Sequence, residues 1–251
     1  MSFTLAQITD THLLVNPDAD LRDLATDRTF RAVLEDVVRH RPDGLLLTGD
    51  LAEEGAARAY QQLVDAIAPL QLPTFWLPGN HDCLPLMRRI LRPPLFCGSP
   101  AAIALGNWQL LLLDSVLLEA RYGEGRVSRE TLEWLEAELQ LQRHSPTLIA
   151  LHHHPVPTGI GWLDLIQLEN ANDFLALVGR HPQVREIVFG HVHLELHRQR
   201  GKTHFYGCPS TSHQVIVGAF SARSPGYRLL TLNPDGTHST EVHRIPQLAI
   251  A

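Results

Sequence analysis

Cysteine is scarce in this chain: Cys83, Cys97 and Cys208 are an odd number with no close pair. That pattern excludes the disulfide framework of a small secreted domain. No apolar run approaches the ~20 residues needed to cross a bilayer as a helix. Met1 to Asp10 lacks a basic stretch leading into an apolar one, so no secretory signal is expected and the compartment is expected to be reducing and cytoplasmic. Positive charge is also short, with 21 Lys and Arg against 27 Asp and Glu and a net charge of −6. A nucleic-acid duplex or an anionic membrane is therefore not an expected partner. A small anionic substrate stays compatible, because bound cations can reverse the local field. Linkers, repeats and low-complexity segments are missing as well, and residues 1–251 are expected to form a single domain.

What is present is ordinary for a globular protein: 44% hydrophobic and 19% charged residues, in a chain long enough to bury a sizeable core. Strand-like runs alternate with helical patterns, the signature of a layered α/β fold. Phe3 to Ile8, Gly44 to Leu47, Thr74 to Leu77, Gln109 to Leu113, Thr147 to Leu151 and Glu186 to Phe189 read as strands. Between them, Phe30, Val33, Leu34, Val37 and Val38 recur at helical spacing, as do Tyr60, Leu63, Val64 and Ile67. Leu132, Leu135 and Leu139, then Phe174, Leu175 and Val178, mark two later helices. After Gly190 the texture changes. Leu194 to Arg198 and Thr203 to Tyr206 flank a turn at Gly201-Lys202. Tyr227 to Leu232 and His238 to Ile245 flank Asn233-Pro234-Asp235-Gly236, so this part is expected to supply antiparallel hairpins.

Five short polar blocks sit where apolar runs stop: Asp10-Thr11-His12, Gly49-Asp50, Gly79-Asn80-His81-Asp82, His152-His153-His154 and Gly190-His191-Val192-His193. The tips of parallel strands can deliver such donors into one crevice. Asp10 and His12, like His191 and His193, have the alternate spacing that puts both side chains on one side of an extended segment. Two aspartates, one asparagine and four histidines, with His81 besides, exceed the four donors of a tetrahedral zinc site. They suit two ions about 3.5–4 Å apart that share a carboxylate. Nitrogen and oxygen donors without thiolate favour Mn, Fe, Co or Zn, with Fe and Mn the leading pair.

Taken in order, these blocks resemble the calcineurin-type metallophosphoesterase superfamily. The longer stretches Gln7 to Leu13, Trp76 to Asp82 and Leu151 to Pro155, together with Gly161-Trp162-Leu163-Asp164, resemble the bacterial class III 3',5'-cyclic-AMP phosphodiesterases. The resemblance implies a four-layer α-β-β-α sandwich of two mixed sheets, of the α/β (α+β) class, with metals at the carboxyl ends of its strands. It implies one ion held by Asp10, His12, Asp50 and His193, and a second by Asp50, Asn80, His152 and His191, with Asp50 shared. The first histidine after the apolar strand, His152, is taken as the ligand over His153. Hydrolysis of 3',5'-cyclic AMP to 5'-AMP would follow by in-line attack of a metal-bridging hydroxide. His81 is expected to assist the leaving oxygen and Asp82 to orient the His81 ring. Asn80, His81, His193 and His213 are expected near the substrate.

Simpler readings compete at each position. An Asp or His alone at a strand end is more often a cap or a solvated residue, and it is the ordered set that argues for ligands. His40, His144, His181, His197 and His243 read as surface residues, and Arg22, Arg121 and Arg126 as solvated ones. Asp164 and Asn170 read as loop-stabilising. The rival enzymatic reading is hydrolysis of other small phosphoesters, such as glycerophosphodiesters or 2',3'-cyclic nucleotides. A non-catalytic scaffold or a metal-storage protein would not need the full donor set at strand ends. Self-association as a homo-oligomer is left open by the sequence.

Overall fold

The computed structural model describes residues 1–215 and 223–246. The first half contains β1 (Phe3–Ile8), α1 (Thr26–Arg39), β2 (Gly44–Thr48), α2 (Ala57–Ile67), β3 (Thr74–Leu77), α3 (Leu84–Ile90) and β4 (Phe96–Gly98). There follow β5 (Ala101–Leu105), β6 (Trp108–Leu112), α4 (Arg129–Leu141), β7 (Thr147–Leu151), α5 (Gly161–Asp164), α6 (Ala171–Gly179) and β8 (Val184–Phe189). Two hairpins close the described chain: β9 (Leu196–Arg200) with β10 (Thr203–Gly207), and β11 (Gly226–Leu232) with β12 (His238–Arg244).

The strands form two six-stranded mixed sheets, ordered β12-β11-β1-β2-β3-β4 and β5-β6-β7-β8-β10-β9. In the first, β1 to β4 run parallel, and β11 adds antiparallel to β1. In the second, β6, β7, β8 and β10 run parallel and β5 and β9 lie antiparallel at the edges.

Alternation along the strands sorts the core into three slabs. Ala6, Ile8, Leu45 and Leu47 face Phe30, Val33, Tyr60 and Leu63 of α1 and α2. Their neighbours Leu5 and Leu46 point the other way, to meet Leu110, Leu112, Leu148 and Val188 between the sheets. Leu111, Ile149, Leu151, Ile187 and Phe189 turn outward onto Leu135, Leu139, Phe174 and Leu177 of α4 and α6. Three apolar slabs between four layers give the α-β-β-α sandwich. Strands buried on both faces explain why their sequences are continuous apolar runs instead of alternating ones. No helix among the described residues is long and apolar enough to cross a membrane.

Candidate metal centre

Because β1, β2 and β3 are parallel, as are β7 and β8, their carboxyl ends open on one edge of the sandwich. The chain continues beyond β1 in register with β2: the amides of Asp10, His12 and Leu13 donate to the carbonyls of Gly49, Asp50 and Leu51 at 2.9, 2.9 and 3.1 Å. Gln7 Nε2 ties the sheets together by donating to Thr48 Oγ1 and to the Phe189 carbonyl.

Backbone conformation at this edge is unusual. Asp10, His12, Asp50, His191 and His193 all have φ between 45° and 66°, and they are five of the nine non-glycine residues with positive φ among the described residues. Left-handed backbone is costly for such side chains, so it persists only where surroundings fix it, commonly at functional sites. The block glycines serve close approach. A Cβ on Gly79 would lie 2.2 Å from Asp50 Oδ1, and one on Gly190 would lie 2.7 Å from Asp10 Oδ2. Any side chain there would fill the space the carboxylates occupy.

The predicted donors converge. Asp50 Oδ2 lies 3.9 Å from His12 Nε2 and 3.3 Å from His152 Nε2, while Oδ1 accepts the His81 amide at 2.8 Å. His193 Nε2 is 3.1 Å from Asp10 Oδ1 and 3.3 Å from His12 Nε2. Asp10, His12 and His193 form one compact donor group, Asp10, Asp50 and His152 another, and His152, His153 and His191 a third.

Each of the four predicted ligand histidines has its second nitrogen committed to an oxygen. His152 Nδ1 donates to the Thr48 carbonyl (2.8 Å), His193 Nδ1 to the His213 carbonyl (2.7 Å) and His191 Nε2 to the Ile166 carbonyl (3.1 Å). His12 Nδ1 lies 2.5 Å from Glu53 Oε2. Such partners fix the tautomer and leave the opposite lone pair free, as they do behind metal-bound imidazoles. The lone pairs of His12 and His193 then face each other, and the buried atoms His152 Nε2 and Asn80 Oδ1 have no hydrogen-bond partner. Facing lone pairs and orphaned buried acceptors are unfavourable unless a cation or a proton lies between them. The residues present therefore fit divalent ions.

Charge points the same way. Burial alone would raise both aspartates, but His193 and His152 bring Asp10 down to about 2, and His152 and His12 hold Asp50 well below the carboxylate range. Burial opposes protonation of His152, yet Asp50 and Asp10 push it up to about 9. His153 and His191 are held well below the usual imidazole value, by burial first and then by neighbouring histidines. Two carboxylates this deeply buried draw positive charge to the site, as a proton on an imidazole or as a metal ion.

The cleft above these groups has a volume of about 450 Å³ and is lined by His12, Arg22, Glu53, Asn80, His81 and His213, among others. His213 is pushed down to about 3 by burial, His193, His12 and Arg22, and its ring lies 4.5 Å from that of His193. Arg22 is exposed, as expected of a solvated arginine, and it also borders this cleft. Asp164 and Asn170 stabilise loops as expected, Asp164 by accepting from Thr158 and Gly159, Asn170 by pairing with Val127.

One expectation needs correction. Asp82 does not orient the His81 ring. Its carboxylate accepts from the amides of Gly79, Leu51 and Ala52 and from the Tyr60 hydroxyl, which clamps the β2 and β3 loops together. Burial and nearby Asp50 raise it to about 6. The His81 ring is held by Glu53 instead, with Nδ1 3.0 Å from its carbonyl and 3.4 Å from its carboxylate. Glu53 thus touches both His12 and His81, a role that sequence reasoning does not assign. Its only signal is a carboxylate three residues beyond Asp50, beside a second glutamate with no pattern to separate them.

A two-sheet sandwich with imidazoles and carboxylates buried at one strand edge defines a class of metal-dependent hydrolases. Residues 3–195 match the calcineurin-like phosphoesterase family, and the chain belongs to that family. The 3',5'-cyclic adenosine monophosphate phosphodiesterase CpdA of Vibrio vulnificus is 41% identical over 97% of this chain and 90% of its own length. A 3',5'-cyclic-nucleotide phosphodiesterase of Nostoc sp. is 39% identical over 98% of this chain and 94% of its own. A dimetal phosphatase from Danio rerio shares the fold, with a TM-score of 0.69 at 15% identity over 91% of this chain and 95% of that one. The family implies divalent metal ions.

Proposed function

We propose that the protein is a 3',5'-cyclic-nucleotide phosphodiesterase that opens 3',5'-cyclic AMP to 5'-AMP. One observation carries the dinuclear part of this reading: a single oxygen, Asp50 Oδ2, stands between His12 Nε2 at 3.9 Å and His152 Nε2 at 3.3 Å. Two relatives at about two-fifths identity over nearly the whole chain, one named for 3',5'-cyclic nucleotides and one for 3',5'-cyclic adenosine monophosphate, support the substrate. Asp10, His12, Asp50 and His193 would hold one ion, and Asp50, Asn80, His152 and His191 the other. His153, whose Nδ1 meets Ser115 Oγ at 2.9 Å and whose buried Nε2 has no hydrogen-bond partner, is the competing ligand beside His152. Fe and Mn suit these imidazole and carboxylate donors, with Zn or Co able to substitute.

When bound, such ions supply Lewis acidity to the phosphoryl oxygens and lower the pKa of water to about 7. The chain does the rest. The carbonyls of Thr48, His213 and Ile166 keep the ligand rings in one tautomer, so no reorganisation is needed as charge develops. A water oxygen bonds to phosphorus in line and gives up a proton to solvent, the bond from phosphorus to the 3'-oxygen breaks, and that oxygen takes up a proton. His81 faces the cleft, half exposed, with Nδ1 engaged by the Glu53 carbonyl. Its Nε2 is therefore the nitrogen that would deliver the proton, with the Glu53 carboxylate 3.4 Å behind the ring at Nδ1. His193 and His213 border the same space and would contact the substrate, as would Asn80.

The test is a comparison of kcat/KM for 3',5'-cyclic AMP, 2',3'-cyclic AMP, a glycerophosphodiester and a phosphomonoester on metal-loaded protein. The reading expects 3',5'-cyclic AMP to lead and chelator-treated protein to be inactive. A glycerophosphodiester or 2',3'-cyclic AMP ranking far above it would assign the chain to the rival phosphoester activity.

A further inference from the structure

Two large aromatic side chains stand out of the protein on the rim of the metal cleft. Tyr122 is 66% and Trp162 57% exposed, and both line the cleft. Scattered exposed aromatics are common. These two share one cavity, and each is held outward by an ordered loop. The amides of Arg121 and Tyr122 donate to the Glu124 carboxylate at 2.7 and 2.8 Å, and the Arg121 guanidinium lies 5.0 Å over the Tyr122 ring. Trp162 sits in α5, whose Asp164 accepts from Thr158 N, Thr158 Oγ1 and Gly159 N at 2.7, 2.6 and 3.2 Å.

Both loops also abut the same half of the metal centre. A Cβ on Gly123, next to Tyr122, would lie 3.5 Å from Asn80 Nδ2. Ile166, just after the Trp162 turn, accepts the His191 ring at 3.1 Å. Asn80 and His191 belong to the proposed second ion. On the other side, Arg22 and His213 border His12 and His193. The cleft is therefore asymmetric, with aromatic faces beside Asn80 and His191 and cationic or imidazole groups beside His12 and His193.

We propose that Tyr122 and Trp162 form a nucleobase subsite, in which the base of the substrate stacks on Trp162 and on the face of Tyr122 that Arg121 leaves open. This rests on the cyclic-nucleotide reading and adds an orientation to it: the base lies over the Asn80 and His191 side. Stacking suits a planar ligand whose edge stays wet, because an indole or phenol ring presents apolar area while the rim of the base remains solvated. It also gives purines, with their larger face, an advantage over pyrimidines.

Trp162→Ala and Tyr122→Ala test this, both at exposed positions where folding is not at stake, against 3',5'-cyclic AMP and a base-free analogue, methyl ribofuranoside 3',5'-cyclic phosphate. The expected result is a rise of about tenfold in KM for cyclic AMP in each variant, with kcat changed less than about twofold. The base-free substrate should change less than about twofold in kcat/KM, and Trp162→Phe should keep most of the affinity. Equal losses on both substrates, or no loss on either, overturn the subsite. AMP binding followed by tryptophan emission separates this from the underlying reading. Trp76 and Trp108 are buried and Trp134 is half-buried on α4, outside the cleft lining, so AMP should quench an emission component that Trp162→Phe removes. A wild-type enzyme that prefers the base-free diester sinks the cyclic-nucleotide reading. Absence of AMP quenching in the wild type sinks the subsite.

Discussion

Two clusters of buried ionisable groups lie in the same sandwich, and burial, which raises carboxyls and lowers imidazoles in both, is overcome by neighbouring charge in only one. At the strand edge, Asp10 and Asp50 are driven down and His152 and His193 up, because each faces a partner of opposite charge. On β8, Glu186 is fully buried and both carboxylate oxygens lack a hydrogen bond, with His238 Nε2 nearest at 3.2 Å. The spacing is that of an ion pair, but the protonation is not. Burial raises Glu186 to about 8 against a weak pull from Arg228, and burial with His204 lowers His238 to about 4, so both are neutral at pH 7. Distance alone does not make a charged site. The strand-edge donors differ because backbone carbonyls or Glu53 pin the far nitrogens of the ligand histidines, and the ligand atoms of Asp10, His12 and His193, and of Asp10, Asp50 and His152, lie within 4.8 Å of one another.

That contrast can be broken most severely at the shared carboxylate. Asp50→Ala should lower kcat/KM by at least about 10³-fold and reduce bound metal below two ions per chain, read by steady-state kinetics and elemental analysis. Next in size, His81→Ala should cost about 10²- to 10⁴-fold in kcat while metal content stays unchanged. Metal loss in that variant would make His81 a ligand or a structural residue. Glu53→Gln keeps the shape but removes the charge behind His12 and His81. A loss of about 10- to 100-fold in activity or metal affinity is expected, the range for partners behind a ligand. The smallest effect belongs to the other cluster. Because the folded value for Glu186 lies above the ordinary 4.5, its neutral form favours folding: that contribution is present below pH 4.5 and is lost as pH rises through about 8. Glu186→Gln should therefore raise Tm by several degrees at pH 9, leave it nearly unchanged at pH 4 and spare turnover. A Tm gain of the same size at both pH values would mean the carboxyl is charged throughout.

Much of the architecture was legible in the sequence because its signals are local. Strands β2, β3 and β7 are nearly unbroken apolar runs, β1 and β8 are apolar apart from Thr4 and Gln7 and from Arg185 and Glu186, and the helix faces of α1, α2, α4 and α6 follow a regular period. The hairpins β9–β10 and β11–β12 announced themselves by their turns. The short elements α3, β4, β5 and α5 did not, since a few residues carry too little pattern to separate them from loops. At the site, the order of Asp10, His12, Asp50, Asn80, His81, His152, His191 and His193 along the chain was readable because each follows a strand. What was unreadable was who touches whom. Asp82 lies next to His81 in sequence, but its carboxylate turns to the amides of Gly79, Leu51 and Ala52, whereas Glu53 reaches the His81 ring from another loop. Adjacency along a chain that turns sharply is a poor guide to side-chain contact. Arg22 entered the cleft for the same reason, from a loop with no periodicity to place it.

Anomalous diffraction from a Mn-loaded crystal tests the central claim most directly. Two peaks about 3.5–4 Å apart are expected, one against His12 and His193, the other against Asn80, His152 and His191, with the Asp50 carboxylate touching both. A single peak, or two that share no Asp50 oxygen, would contradict the account.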